Sequence, residues 1–129
     1  RFLTYYMPQI ERACATLHAA GKLTALHLDA DNRLLSPLVA QTSVDFIESF
    51  TPPPDCDMTV SEARRTWPKK ALLVNFPSSV HLQGKSQVQA TAEALFREAA
   101  PGDRFALGVL EDVPTNQYIL TLAETVQAK

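Results

Sequence analysis

Short apolar runs alternate with helical patterns along the whole of this chain, and no other feature restricts its fold as strongly. Leu23 to Asp29, Val44 to Glu48, Ala71 to Phe76 and Arg104 to Leu110 are each too short for a helix. Turn-forming residues bound them, so they read as buried strands. Between them lie segments with helical signals. Met7, Ile10, Cys14 and Leu17 recur on one helical face, with Pro8 at its entrance and Gly21 past its exit. Asn32 is placed to cap a helix running to about Gln41, with Pro37 inside its first turns. Thr51-Pro-Pro-Pro54 makes a stiff loop, and Thr59-Val-Ser-Glu62 is a capping box for a helix that stops near Trp67-Pro68. Ser86 and Gln89 repeat the cap pattern ahead of the face Val88, Ala92, Leu95, Phe96 and Ala99, which Pro101-Gly102 ends. Glu111-Asp-Val-Pro114 leads into a last helix with Ile119, Leu122, Ala123 and Val126 on its apolar side.

The order is one helix followed by four consecutive βα units, an α/β fold with a parallel sheet. Two architectures fit: an open doubly wound sheet, or a segment of a closed (β/α)₈ barrel. A complete barrel needs about 250 residues, and this chain has 129. Half a barrel would expose two strand edges, which favours pairing with a second copy or with the other half. The chain starts at Arg1 and enters a helical pattern at once, as an excised piece of a longer protein would.

Composition narrows the function classes. A hydrophobic share of 46% supports one modest core, and a net charge of −2 with both signs interspersed leaves no nucleic-acid footprint. No apolar run is long enough to cross a bilayer. Cys14 lies in a helix and Cys56 in a loop, so a disulfide framework is not expected and a reducing, cytoplasmic setting is.

In both architectures ligands bind at the carboxyl ends of the strands, and here those ends are polar. The first finishes His27-Leu-Asp29, the second Glu48, the third Asn75 and the fourth Glu111-Asp112. Alternation puts His27 and Asp29 on one face. An imidazole, two or three carboxylates and an amide on one rim can hold a metal ion or do general acid–base work. Each residue also has a plainer reading: Asp29 as a turn residue, the acidic loop residues as solvated groups or helix caps. Cys56 and His81 lie in rim loops and read as ordinary loop residues within reach of a metal. His18 reads as solvent-facing, Trp67 as packing, and Arg64-Arg65 and Lys69-Lys70 as solvated charge near the opposite rim. The parity of the fourth strand leaves Glu111 and Asp112 open as the residue facing the site. There is no Gly-rich phosphate loop, no Ser-His-Asp order and no CxxC site.

Several segments carry a resemblance: Met7-Pro8 opening a helix, Gly21-Lys22 before a strand ending in His27, Asp57-Met-Thr-Val-Ser-Glu-Ala63, Leu73-Val-Asn-Phe76, and Asp112-Val-Pro114 before the last helix. In this order and spacing they resemble the carboxyl-terminal half of the uroporphyrinogen decarboxylase superfamily over essentially all of residues 1–129. That superfamily includes uroporphyrinogen decarboxylases, corrinoid-linked methyltransferases and the related cobalamin-independent methionine synthases. The resemblance implies half of a (β/α)₈ TIM barrel and a small-molecule substrate, with neither nucleic acid nor membrane as partner. In the methyltransferase branches a zinc ion activates a thiol acceptor, held by His-x-Cys at one strand end, often Glu at the next, and Cys near the last. Carried over, His27 matches the His, Asp29 stands in place of the first Cys, Glu48 matches the Glu, and Glu111 or Asp112 falls near the last Cys. Both thiolates are missing, and the set His27, Asp29, Glu48 and Glu111 could take zinc or a harder divalent ion.

The resemblance therefore implies a metal-dependent, methyltransferase-like enzyme; Asn75 and Asp112, from their places on the rim, are the catalytic candidates. A cofactor-free decarboxylase is the first alternative. An inactive half-barrel that self-associates is the second.

Overall fold

Local signals start the elements of this chain, and packing on a single sheet face decides where they stop. The computed structural model describes residues 1–109 and 116–127. A π-helical turn, Phe2–Tyr6, runs into α1, Met7–Ala19. Gly21 adopts a φ of 67° and closes α1: its N–H donates to the His18 carbonyl while that of Lys22 donates to Leu17. This pairing satisfies two carbonyls that a helix end leaves open, in a conformation glycine adopts without strain.

The four strands are β1, Ala25–His27; β2, Phe46–Phe50; β3, Ala71–Asn75; and β4, Phe105–Gly108. Between and after them lie α2, Ser36–Val39; α3, Val60–Thr66; α4, Lys85–Ala99; and α5, Ile119–Gln127. All pairings are parallel and the strand order is β1-β2-β3-β4. The order never reverses within the chain, unlike that of a doubly wound sheet. Helices α1 to α5 all send residues into one core with the strands, as crossovers of a single hand would arrange them.

Burial follows from that winding. Ile47, Leu72 and Val74 point into the helix layer and are closed to solvent. There they join Val39, Val60, Ala63, Val88, Ala92 and Leu95 in one core. The opposite face carries Ala25, Phe46, Ala71, Leu73 and Ala106, all partly or fully exposed. Parallel sheets are ordinarily covered on both faces; among the described residues, this one is covered on one.

The capping box at α3 forms as the spacing predicts: Glu62 N–H donates to Thr59 Oγ1, and Thr59 N–H to the Glu62 carboxylate. Trp67 ends that helix in the core, 1% exposed, its indole N–H on the Ser36 carbonyl at 2.9 Å and its ring edge-on to Phe50. Other boundaries differ from expectation. Asn32 does not cap a long helix; its amide turns back to the Leu28 and Ala30 carbonyls. Regular helix begins only at Ser36, so that Pro37 lies in the first turn, where its missing N–H costs nothing. Ser86 is not the cap of α4 either. Gly84, at φ 92°, takes that place and accepts from Gln87 and Val88. β2 starts two residues later than the apolar run suggests, because the residues just before it serve a buried cation.

That cation is Lys70, which is not solvated charge. It is 7% exposed, and its ammonium donates to the Thr42 carbonyl at 2.6 Å and the Val44 carbonyl at 2.9 Å. Arg64, also read as solvated charge, bonds both the carbonyl and the carboxylate of Asp103. His18 keeps solvent exposure but is tied to Asp45 at 2.8 Å. No helix among the described residues is long and apolar enough to cross a membrane.

Candidate functional site at the carboxyl rim

Parallel register brings the first two rim residues together directly. His27 closes β1, and its Cα partner across the ladder is Glu48 on β2. Both lie on the uncovered face, with the same parity as Ala25 and Phe46. The Glu48 carboxylate meets His27 Nδ1 in a short hydrogen bond through Oε2. Asp29, two residues beyond His27, brings Oδ2 to 3.3 Å from Nε2. Each ring nitrogen therefore faces a carboxylate. The Glu48 hydrogen bond, with Asp29 second, holds the imidazole above its ordinary proton affinity. Glu48 is held below the usual carboxylate range, first by the Ser49 hydroxyl on its Oε1 at 2.6 Å and also by His27.

The loops carrying these groups are cross-tied. Asp57 accepts from the backbone N–H of both Asn32 and Arg33. The Arg33 guanidinium reaches the Asp57 carbonyl and grips Glu62 with both of its terminal nitrogens. A fork on a carboxylate fixes orientation as well as distance. The loop after β1 is thus bound to the loop and cap after β2. The same junction brings Cys56 Sγ to 3.5 Å from the Asp29 carbonyl. Burial, followed by the charges of Asp31, Asp55, Asp57 and Asp29, pushes the Cys56 thiol up, away from the reactive thiolate.

Asn75 ends β3 opposite Gly108 and shares the uncovered face with Leu73. It is 7% exposed, and its Nδ2 has no partner among the described residues. A buried amide donor left open at a rim can meet an oxygen of a bound molecule. His81 is not an exposed loop residue: it lies in a 3₁₀ turn, Ser78–Gln83, 1% exposed with its ring edge-on to Phe76. Neither of its nitrogens has a partner among the described residues, and burial pushes its proton affinity down. Glu111 and Asp112 lie outside the described residues.

The donor set can be tested against a metal. Two ligand atoms on a tetrahedral zinc, with bonds of about 2.0–2.1 Å, stand roughly 3.3 Å apart, and His27 Nε2 and Asp29 Oδ2 are 3.3 Å apart. Glu48 behind Nδ1 completes a carboxylate–histidine pair of the kind that orients metal-binding imidazoles. The pair fits two positions of such a site. Among the described residues no group of three or more His, Cys, Asp or Glu is arranged to hold an ion, so further donors would come from elsewhere. Sequence reading put His27, Asp29 and Glu48 on one rim from their places at strand ends, and the structure brings the three together. It missed Ser49, for which a serine after a strand's last acidic residue gives no signal. Comparisons with known protein families and with curated proteins each find no match for this chain.

Proposed function

We propose that this chain is the carboxyl-terminal half of a (β/α)₈ barrel enzyme of the uroporphyrinogen decarboxylase type, with a metal-dependent, methyltransferase-like site on its rim. The observation that carries the reading is the His27–Asp29–Glu48 group on the uncovered face, at the carboxyl ends of strands wound in one direction. His27 and Asp29 would hold a divalent ion, zinc foremost, with Glu111 or Asp112 as a further ligand. Bound there, the ion would polarise and activate a nucleophilic acceptor.

The remaining work falls to the chain's own groups. Glu48 accepts the hydrogen bond from His27 Nδ1–H and fixes the ring. Asn75 offers its open N–H to an oxygen of a small-molecule substrate. The open sheet face and the β1 and β4 edges would be covered by the other half of the barrel or by a second copy of the chain.

Elemental analysis of the purified chain beside His27→Ala tests this. Near-stoichiometric zinc or manganese in the parent, lost in the variant, is the expected result. Metal-free protein whose stability does not respond to either ion sinks the reading. A cofactor-free, decarboxylase-type site is then next, favoured by the same imidazole between two carboxylates, which is also a proton-transfer arrangement.

A further inference from the structure

In a regular strand, neighbouring side chains point to opposite faces, so a hydroxyl at position 49 should not reach the carboxylate at 48. Here it does. Ser49 adopts a φ of 59°, and the β2–β3 register shifts between Ile47 and Phe50. The inversion turns Ser49 Oγ back onto Glu48 Oε1 at 2.6 Å, while Ser49 stays 6% exposed. A left-handed backbone at a residue other than glycine is unfavourable and persists where surrounding structure enforces it, often at functional sites.

We infer that Ser49 is a positioning residue for the rim imidazole: it locks the Glu48 carboxylate so that Oε2 holds a proton on His27 Nδ1 and Nε2 is the nitrogen left to bind a ligand. The carboxylate on the Nδ1 side is the better held of the two. The Glu48 side chain is 33% exposed and hydrogen-bonded from behind by Ser49, whereas Asp29 is 66% exposed and farther from the ring. The neutral ring therefore keeps its Nδ1 proton and frees Nε2, on the Asp29 side. Without the Ser49 hydroxyl, the carboxylate can rotate and the ring loses its preference. The inference rests on the site proposed above for its purpose, though the proton's position is measurable without any metal.

The test is ring ¹⁵N NMR of the full chain at a pH where His27 is neutral, comparing the wild type with Ser49→Gly. Glycine accepts a positive φ, so this change removes the hydroxyl and keeps the backbone path. Ser49→Ala repeats the deletion with the Cβ retained. The wild type should carry the His27 proton chiefly on Nδ1. Both variants should lower the Nδ1–H to Nε2–H ratio by about three- to tenfold, as loss of one ordinary hydrogen bond would. Zinc affinity, read by competition with a chromophoric chelator, should fall about tenfold or more, with the melting curve of Ser49→Gly no lower than that of the wild type. An unchanged tautomer ratio in both variants overturns the inference even if zinc binds. A wild type that binds no zinc, with the ratio still changed in both variants, overturns the metal reading and leaves the positioning role of Ser49 standing.

Discussion

Replacing His81 with phenylalanine should make this protein more stable, and the size of the gain can be worked from its surroundings. The ring is 1% exposed and neither nitrogen has a partner among the described residues. Each orphaned polar group costs about 1–3 kcal/mol. A phenyl ring removes both penalties and keeps the edge contact with Phe76, now at 5.1 Å between centroids. Its greater volume in a packed interior takes back about 1–3 kcal/mol. The net expectation is a gain of about 1–3 kcal/mol, or a rise in Tm of roughly 3–10 °C for a chain of this size.

Acid dependence gives a second reading of the same substitution. The folded His81 has a lowered proton affinity, so below about pH 6.5 the unfolded chain binds more protons than the native one. Wild-type stability is therefore full above that pH and declines as pH falls through the window down to the folded value. His81→Phe should remove that decline. His27 acts in the opposite sense: its raised affinity contributes below about pH 6.5 and is lost as pH rises through the folded value. With its side chain 61% exposed, its contribution is small. Urea unfolding of both proteins at pH 7.5 and 5.5 is the assay. A variant that is less stable at pH 7.5, and that keeps the wild-type loss on acidification, would refute the reasoning, because the ring would then have to be serving a partner.

Asp45 is held down to about 2 by the His18 hydrogen bond and by the Thr24 N–H and hydroxyl. Its stabilisation is present above the unfolded value and lost as pH falls from about 3.8 towards 2. Asp45→Asn should cost no more than about 2 kcal/mol at pH 7, measured by urea unfolding, and should flatten the curve in that acid window. Thr59→Ala removes one side of the α3 capping box and should cost about 0.5–2 kcal/mol in the same experiment. Lys70→Met keeps the long stem but strips the donors from the Thr42 and Val44 carbonyls; it should lower stability by about 1–3 kcal/mol. A neutral result there would mean that those carbonyls find other donors.

How much of this was readable in the sequence depended on whether the deciding contact was local. The strands and α3 were legible because periodicity and the Thr59–Glu62 cap act within a few residues. The pairing of His27 with Glu48 was legible too, since parallel strands ending on polar residues bring those residues side by side. The helix expected from Asn32 failed where two local preferences competed, and Pro37 set the start of regular structure. Gly84 displaced Ser86 in a similar contest, with a positive φ that serine does not readily take. Lys70 was misread because its partners come from residues 42 and 44, distant in sequence. Ser49 was invisible: its role follows from a single backbone inversion that no side-chain pattern announces.

The one-way winding of the sheet also bears on how the chain reaches this structure. β1 pairs with β2, β2 with β3, and β3 with β4, and no strand skips a neighbour. Each new ladder needs only the unit just made and the crossover following it, so loop-closure costs stay modest and are met in sequence. During synthesis, Phe46 can find Ala25 while β4 is still being translated. The early units then present an unfinished edge to whatever emerges next, and these four strands can be added in chain order as a row of bricks is, each course laid on the last.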